Sequence, residues 1–178
     1  MNSNITISPA LPPDALGIQK VLRDSSRAMY LASGYSEEDF ENRFRDSLSD
    51  SSVGRCAENL AGLSSLEKYV VARDVPEIVG LCYGEKTIDR NILHALYVYP
   101  KNQGQGIGKK LWDSMTDFFD PTKSVVLDVF VCNTPAIEFY KRLGFVDTGK
   151  RHSDESFKSK SGVEIIEMEM DLSLGNLL

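Results

Sequence analysis

The sequence predicts an α/β chain of the α+β type, a mixed, mostly antiparallel central sheet of about six to seven strands flanked by helices. Three observations carry that expectation. Tyr69 to Tyr99 reads as an antiparallel meander; Ile92 to Leu143 alternates strand, helix, strand, helix; and alternating segments from Phe145 and from Val163 close the chain. A chain of 178 residues suits one domain with a full core, and 42% apolar with 26% charged residues is an ordinary globular balance. We expect residues 1–178 to form a single domain.

Taken in order, Ile5 to Ser8 alternates like a short strand, and Pro12-Pro13-Asp14 opens a helical apolar pattern through Leu16, Val21, Leu22 and Met29. Ser36-Glu37-Glu38-Asp39 has the form of a capping box, with Phe40 and Phe44 one turn apart, so a second helix is expected to about Leu48. Residues 49–66 give no clear period. Tyr69 to Ala72 and Glu77 to Tyr83 are rich in Val, Ile and Tyr and flank Asp74-Val75-Pro76, which predicts a hairpin. Ile92 to Tyr99 is a third strand, ended by Pro100; Gly104, Gly106 and Gly108 follow, and then Leu111, Trp112, Met115 and Phe118/Phe119 at helical spacing. Val125 to Val131 is nearly continuous apolar sequence interrupted by Asp128, the pattern of a strand buried on both faces. A helix is expected from Asn133, with Pro135 in its first turn and Gly144 at its stop. A polar stretch, Arg151 to Gly162, precedes a last strand from Val163 to Leu172.

The formal charge of −6 opposes broad attachment to nucleic acid, which needs clustered Lys and Arg to neutralise phosphates, and fits a cationic or amine substrate better. No stretch approaches the roughly 20 apolar residues of a membrane span, and the first residues carry no basic and apolar leader, so the chain reads as cytosolic. The three cysteines, Cys56, Cys82 and Cys132, are far apart and form no CxxC pair, which points to packing rather than to a disulfide framework or a zinc site. No metal is expected. The sequence leaves a homodimer open.

The chemistry centres on Gln103-Gly104-Gln105-Gly106-Ile107-Gly108-Lys109, where a strand ends and a helix begins. Backbone N–H groups at the positive end of a helix can hold an anion such as a pyrophosphate, and glycine lets the backbone come close and adopt angles other residues avoid. Lys109 and Lys110 add positive charge. A Walker loop would need Gly at 103 and Ser or Thr at 110, where the chain has Gln and Lys. A dinucleotide fingerprint would need its third glycine where Lys109 stands, directly after the strand, and Pro100 to Gln103 intervene.

Leu96-Tyr97-Val98-Tyr99-Pro100 followed by Gln103-x-x-Gly106-x-Gly108 resembles the acetyl-CoA motif of the GNAT N-acetyltransferase superfamily. Asn133 to Phe145, read as N-x-x-A-x-x-F-Y-x-x-x-G-F, resembles the helix and closing strand that follow it there. The matching segments span Ile92 to Gly149. The resemblance implies a cofactor core over about residues 92–149 and acceptor-side helices over about residues 12–66. It implies that main-chain groups of Leu96, Tyr97 and Val98 pair with the pantetheine arm in a gap between splayed strands, that Gln103 to Lys109 take the pyrophosphate, and that Asn133 meets the cofactor arm while also capping its helix.

Tyr140 matches the family tyrosine beside the cofactor sulfur, where a phenol can protonate the departing thiolate; its spacing also suits a core aromatic. In the similar ribosomal-protein alanine N-acetyltransferases a glutamate on the strand before the tyrosine helix is the base, and Asp128 occupies that position. Some relatives place a glutamate where this chain has Ala95. His94, on the cofactor strand, is a second proton carrier to weigh, and Glu164, Glu167 and Glu169 could meet a cationic acceptor. The implied activity is acetyl transfer from acetyl-CoA to an amine-bearing small molecule or a protein N-terminus; the alternative is a noncatalytic acyl-CoA-binding regulatory module.

Overall fold

A computed structural model of the chain describes residues 5–153 and 164–173. Among these, seven strands form one sheet: β1 (Thr6–Pro9), β2 (Glu67–Asp74), β3 (Glu77–Lys86), β4 (Asn91–Val98), β5 (Ser124–Phe130), β6 (Val146–Ser153) and β7 (Glu164–Asp171). Five helices flank them: α1 (Ala15–Ala32), α2 (Glu37–Phe44), α3 (Asp50–Ala61), α4 (Ile107–Thr116) and α5 (Thr134–Leu143). The strand order is β1-β2-β3-β4-β5-β7-β6, antiparallel except between β4 and β5. Val163 and the polar stretch before it from residue 154 lie outside the described residues.

Two apolar layers hold the sheet. On one face Val125, Leu127 and Val129 of β5 and Ile166 and Met168 of β7 pack with Leu111, Trp112 and Met115 of α4 and Tyr140 of α5. On the other, Ile18 and Val21 of α1 and Leu60 of α3 pack on Val71, Ile78 and Leu81 of β2 and β3. Arg73 of β2 ties the chain start down, donating from Nη1 and Nη2 to the two Asp14 carboxylate oxygens at 2.7 Å each, and from Nε to Ser8 Oγ at 2.8 Å.

The capping box forms as expected, Ser36 Oγ accepting from the Asp39 N–H at 3.1 Å, but α2 stops at Phe44 and not near Leu48. The stretch without a clear period contains α3. Ser49 caps it, and Val53, Cys56, Ala57 and Leu60 form its packed stripe against α1.

β5 is buried along one face and only in part along the other, where Val126 is buried but Asp128 is not. Its helix-covered face carries Val125, Leu127 and Val129, while the α1/α3 layer includes no β5 residue, so Asp128 is exposed and not enclosed as its apolar neighbours predicted.

Candidate active site

The parallel pairing of β4 with β5 covers only Asn91↔Val125 and Ile92↔Val126. Beyond it the strands part. The cause is local: Tyr83 pairs with Ala95 and Gly84 with Leu93, so His94 is an extra residue that bulges β4 and turns its edge away from β5. From Leu93 to Val98 that edge has no strand partner among the described residues, leaving the main-chain groups that β3 does not take, apart from the Val98 carbonyl held by Ser25 and Gln103, able to pair with an extended ligand.

The apex of the opening is clasped by Asn91, whose side chain is fully buried. Its Nδ2 donates to the carbonyls of Asp120, Ser124 and Lys123 at 2.9, 3.3 and 3.4 Å, and its Oδ1 accepts from the Asp120 N–H at 2.9 Å.

At the far end of β4, a 3₁₀ turn over Pro100–Asn102 leads into the glycine loop. Gly104 and Gly106 take φ of +75° and +77°, and a Cβ on either would meet nothing within 4 Å. Their glycines are therefore required by backbone angle, with open space above. Gly106 is the N-cap of α4 and no side chain caps that helix, so its first N–H groups are left for an external acceptor. Gly108 differs: a Cβ there would press on the Phe139 ring at 3.2 Å, so this glycine serves packing of α4 on α5. Gln103 turns inward, its Nε2 donating to the Val98 carbonyl at 3.1 Å. Exposed Gln105 and buried Ile107 complete the loop and the first turn. Lys109, expected to add charge at the mouth, is ion-paired with Asp113 of its own helix.

On the opposite arm, Asn133 caps α5 by accepting from the Ala136 N–H at 3.4 Å. Tyr140 follows on that helix, its ring between Phe139 and Phe145 at centroid distances of 5.5 and 5.6 Å. Burial first, then Cys82 and Tyr97, push the Tyr140 phenol well above its ordinary range, so it keeps its proton. Its hydroxyl has no hydrogen bond among the described residues, yet it is not among the fully occluded, unpartnered polar atoms.

Asp128 lies on the face opposite Tyr140, its Oδ2 3.2 Å from His152 Nε2. Ile92 is the register partner of both Glu85 and Val126, and His94 meets Glu85, so His94 and Asp128, two residues on from Val126, stand on the same face across the opening. His94 stacks on Tyr83 at 4.9 Å, with Nε2 2.9 Å from Glu85 Oε2. Glu167 is the register partner of Asp128 but is held by Lys150 at 2.8 Å; Glu164 and Glu169 are set farther along β7.

α1 falls within the acceptor-side helices expected over about residues 12–66, but the sequence did not single out the serines by which it touches β4 and the start of α5. Ser25 Oγ donates to the Val98 carbonyl at 3.2 Å, Ser26 hydrogen-bonds Tyr97, and Ser33 Oγ lies 3.0 Å from Cys132 Sγ just before the α5 cap. The signal was the run Arg23-Asp24-Ser25-Ser26, polar on both sides of an otherwise amphipathic helix. No group of three or more His, Cys, Asp or Glu side chains suited to a metal ion occurs among the described residues, and no described helix is long and apolar enough to cross a membrane.

The model of the acetyltransferase (GNAT) domain family matches residues 31–172. Among solved structures the chain is similar to the PaiA N-acetyltransferase of Thermoplasma acidophilum in complex with coenzyme A, at 22% identity and TM-score 0.70, covering 94% of this chain and 99% of that one. It is also similar to the ribosomal-protein alanine N-acetyltransferase of Escherichia coli, at 17% identity and TM-score 0.64, covering 95% and 94%. A GNAT acetyltransferase of Streptococcus pneumoniae gives 17% identity and TM-score 0.66 over 94% and 98%. No curated protein sequence matches the chain.

Proposed function

Because the chain belongs to the GNAT acetyltransferase family, we propose that it moves the acetyl group of acetyl-CoA to a primary amine, by direct attack of the amine within a ternary complex. The observation that carries this reading is the two-residue pairing of β4 with β5, beyond which an unpartnered strand edge runs to a glycine loop at an uncapped helix start. These features fit acetyl-CoA, whose acetyl group is activated as a thioester and which leaves as the coenzyme A thiol. The edge of Leu96, Tyr97 and Val98 would hold its arm, and Gln103, Gly104, Gln105, Gly106, Ile107, Gly108 and Lys109 its pyrophosphate, with Asn133 beside the arm. The neighbour from Thermoplasma acidophilum, crystallised with coenzyme A, supports the fit.

In this reading Tyr140 holds a proton on its hydroxyl for the sulfur that departs, and an N–H near Val98 stabilises charge on the carbonyl oxygen. Asp128 faces the acceptor, attracting its ammonium form and receiving its proton. The demand on a base depends on the acceptor: at neutral pH a lysine-type amine costs roughly 4 kcal/mol to deprotonate and an α-amine about 1. Acceptors of the second kind, a protein N-terminus or a small molecule with an amine of low basicity, ask least of a base and are favoured.

The test is calorimetric titration with acetyl-CoA and with CoA, then thiol release across a panel of small amines and unblocked peptides. Binding with amine-dependent release supports the reading. Binding without release on any amine favours a noncatalytic acyl-CoA module, and no binding by folded protein overturns the assignment of Gln103 to Lys109.

A further inference from the structure

The chain has two histidines, and both are set against carboxylates on the sheet face that carries Asp128: His94 with Glu85 on the β4 side of the opening, and His152 with Asp128 on the β5 side. Along the sheet the order is opening, β5, β7, β6. Asp128 therefore borders the opening, and His152, on β6, reaches back across β7 to it. Both side chains are about half exposed, at 48% for His152 and 55% for Asp128, so a solute can reach the pair.

We propose that His152 is a positioning residue that sets the charge Asp128 presents to the acceptor amine. With His152 neutral, its Nε2 3.2 Å from Asp128 Oδ2, the pair carries a net charge of −1. Protonated His152 keeps the contact but brings the pair to zero, and a cationic acceptor loses its counter-charge. This deepens the reading above and rests on it, specifically on Asp128 facing the acceptor.

The surrounding charges do not mask the switch. Glu167, beside Asp128 on β7, is hydrogen-bonded by Lys150, has Arg90 3.8 Å away, and has its carboxyl held below the usual range chiefly by Lys150. On β6, Arg151 is paired with Asp147 at 2.6 Å and approaches Glu164 at 3.8 Å. Glu169 lies on the same face two residues from Glu167. Across the opening stand Glu85 and His94, with Glu67 bonded to Tyr83 below them. Carboxylates, lysines and arginines keep their charge between about pH 6 and 8, and imidazole is the side chain that changes there.

Steady-state kinetics at saturating acetyl-CoA test this, with spermidine and an unblocked alanyl peptide amide as acceptors, at about pH 6 and about pH 8. The readout is the acid-to-neutral ratio of KM for one acceptor, compared between proteins so that titration of the amine itself cancels. His152→Gln keeps a polar side chain beside Asp128 and cannot gain charge; the ratio is expected to fall about threefold below wild type, the scale of one exposed charge pair. His152→Lys fixes the positive charge, and its KM should stay high at both pH values. The effect is read in KM, and the opposition of Gln to Lys there is one that a merely structural histidine would not give. If His152→Gln retains the wild-type KM ratio while Asp128→Asn raises KM at both pH values, the role of His152 is overturned and the acceptor-facing reading stands. If Asp128→Asn leaves KM where it was, that reading itself falls.

Discussion

The Tyr140 phenol is enclosed by two aromatic rings, and burial raises its pKa before its neighbours raise it further. A phenol so shifted is always protonated at working pH but is a reluctant acid, so its contribution belongs at the lower end of general acid catalysis, about 10²-fold or less. We expect Tyr140→Phe to lower kcat at least about tenfold with acetyl-CoA affinity unchanged by calorimetry. Because the hydroxyl makes no hydrogen bond among the described residues, the melting temperature should hold or rise slightly; wild-type turnover would remove Tyr140 from the acid role. Tyr140 was legible in the sequence because its place depends on local spacing from Asn133 and Phe145. The surroundings of Asp128 were not. Val126, on the same face of β5, is buried while Asp128 is exposed, and nothing in a strand's own composition says where along a face the cover stops.

The strand–loop–helix unit shows how one motif can use glycine for two reasons. Gly106 holds a left-handed angle with open space above it, whereas Gly108 lies under the Phe139 ring. Gly106→Ala should therefore cost about 1–2 kcal/mol of stability from backbone angle alone. It should also weaken acetyl-CoA binding, because relaxing the angle re-aims the N–H groups at the start of α4. Gly108→Val should instead displace α5 and be read first in the melting temperature. Calorimetry and thermal unfolding on both variants separate the two; equal loss of affinity and stability in both would deny the division. The glycine unit, the hairpin and α5 were legible because each carries its own turn or cap residues. α3 was not. Ser51, Ser52 and Gly54 depress its helix propensity, and its stripe of Val53, Cys56, Ala57 and Leu60 becomes decisive only against α1. The bulge at His94 was equally hidden, since it is defined by the partner strand.

At the scale of the molecule the sheet is two arms joined by a two-residue parallel pairing, β1 to β4 on one side and β5, β7 and β6 on the other. So short a pairing cannot hold the arms by its own ladder. The Asn91 amide does much of that work, joining the first residue of β4 to the turn that leads into β5. Asn91→Ala leaves the Asp120 N–H and three carbonyls to find other partners in a site closed to water, at roughly 1–3 kcal/mol for each buried group that fails. The loss in urea unfolding should be about 2–4 kcal/mol. Because Asn91 is remote from the glycine loop but sits at the apex, the angle between the arms should change as well, weakening acetyl-CoA binding although no cofactor-binding residue is touched. Asn91→Asp retains an acceptor for the Asp120 N–H but cannot donate to the carbonyls, so it should be at least as destabilised as Asn91→Ala, with a buried carboxylate facing carbonyl oxygens. A stability loss with acetyl-CoA affinity intact would mean that the arms are set by the two helical layers and that the clasp is only a fastening; joint loss would make the apex the element that fixes the width of the opening.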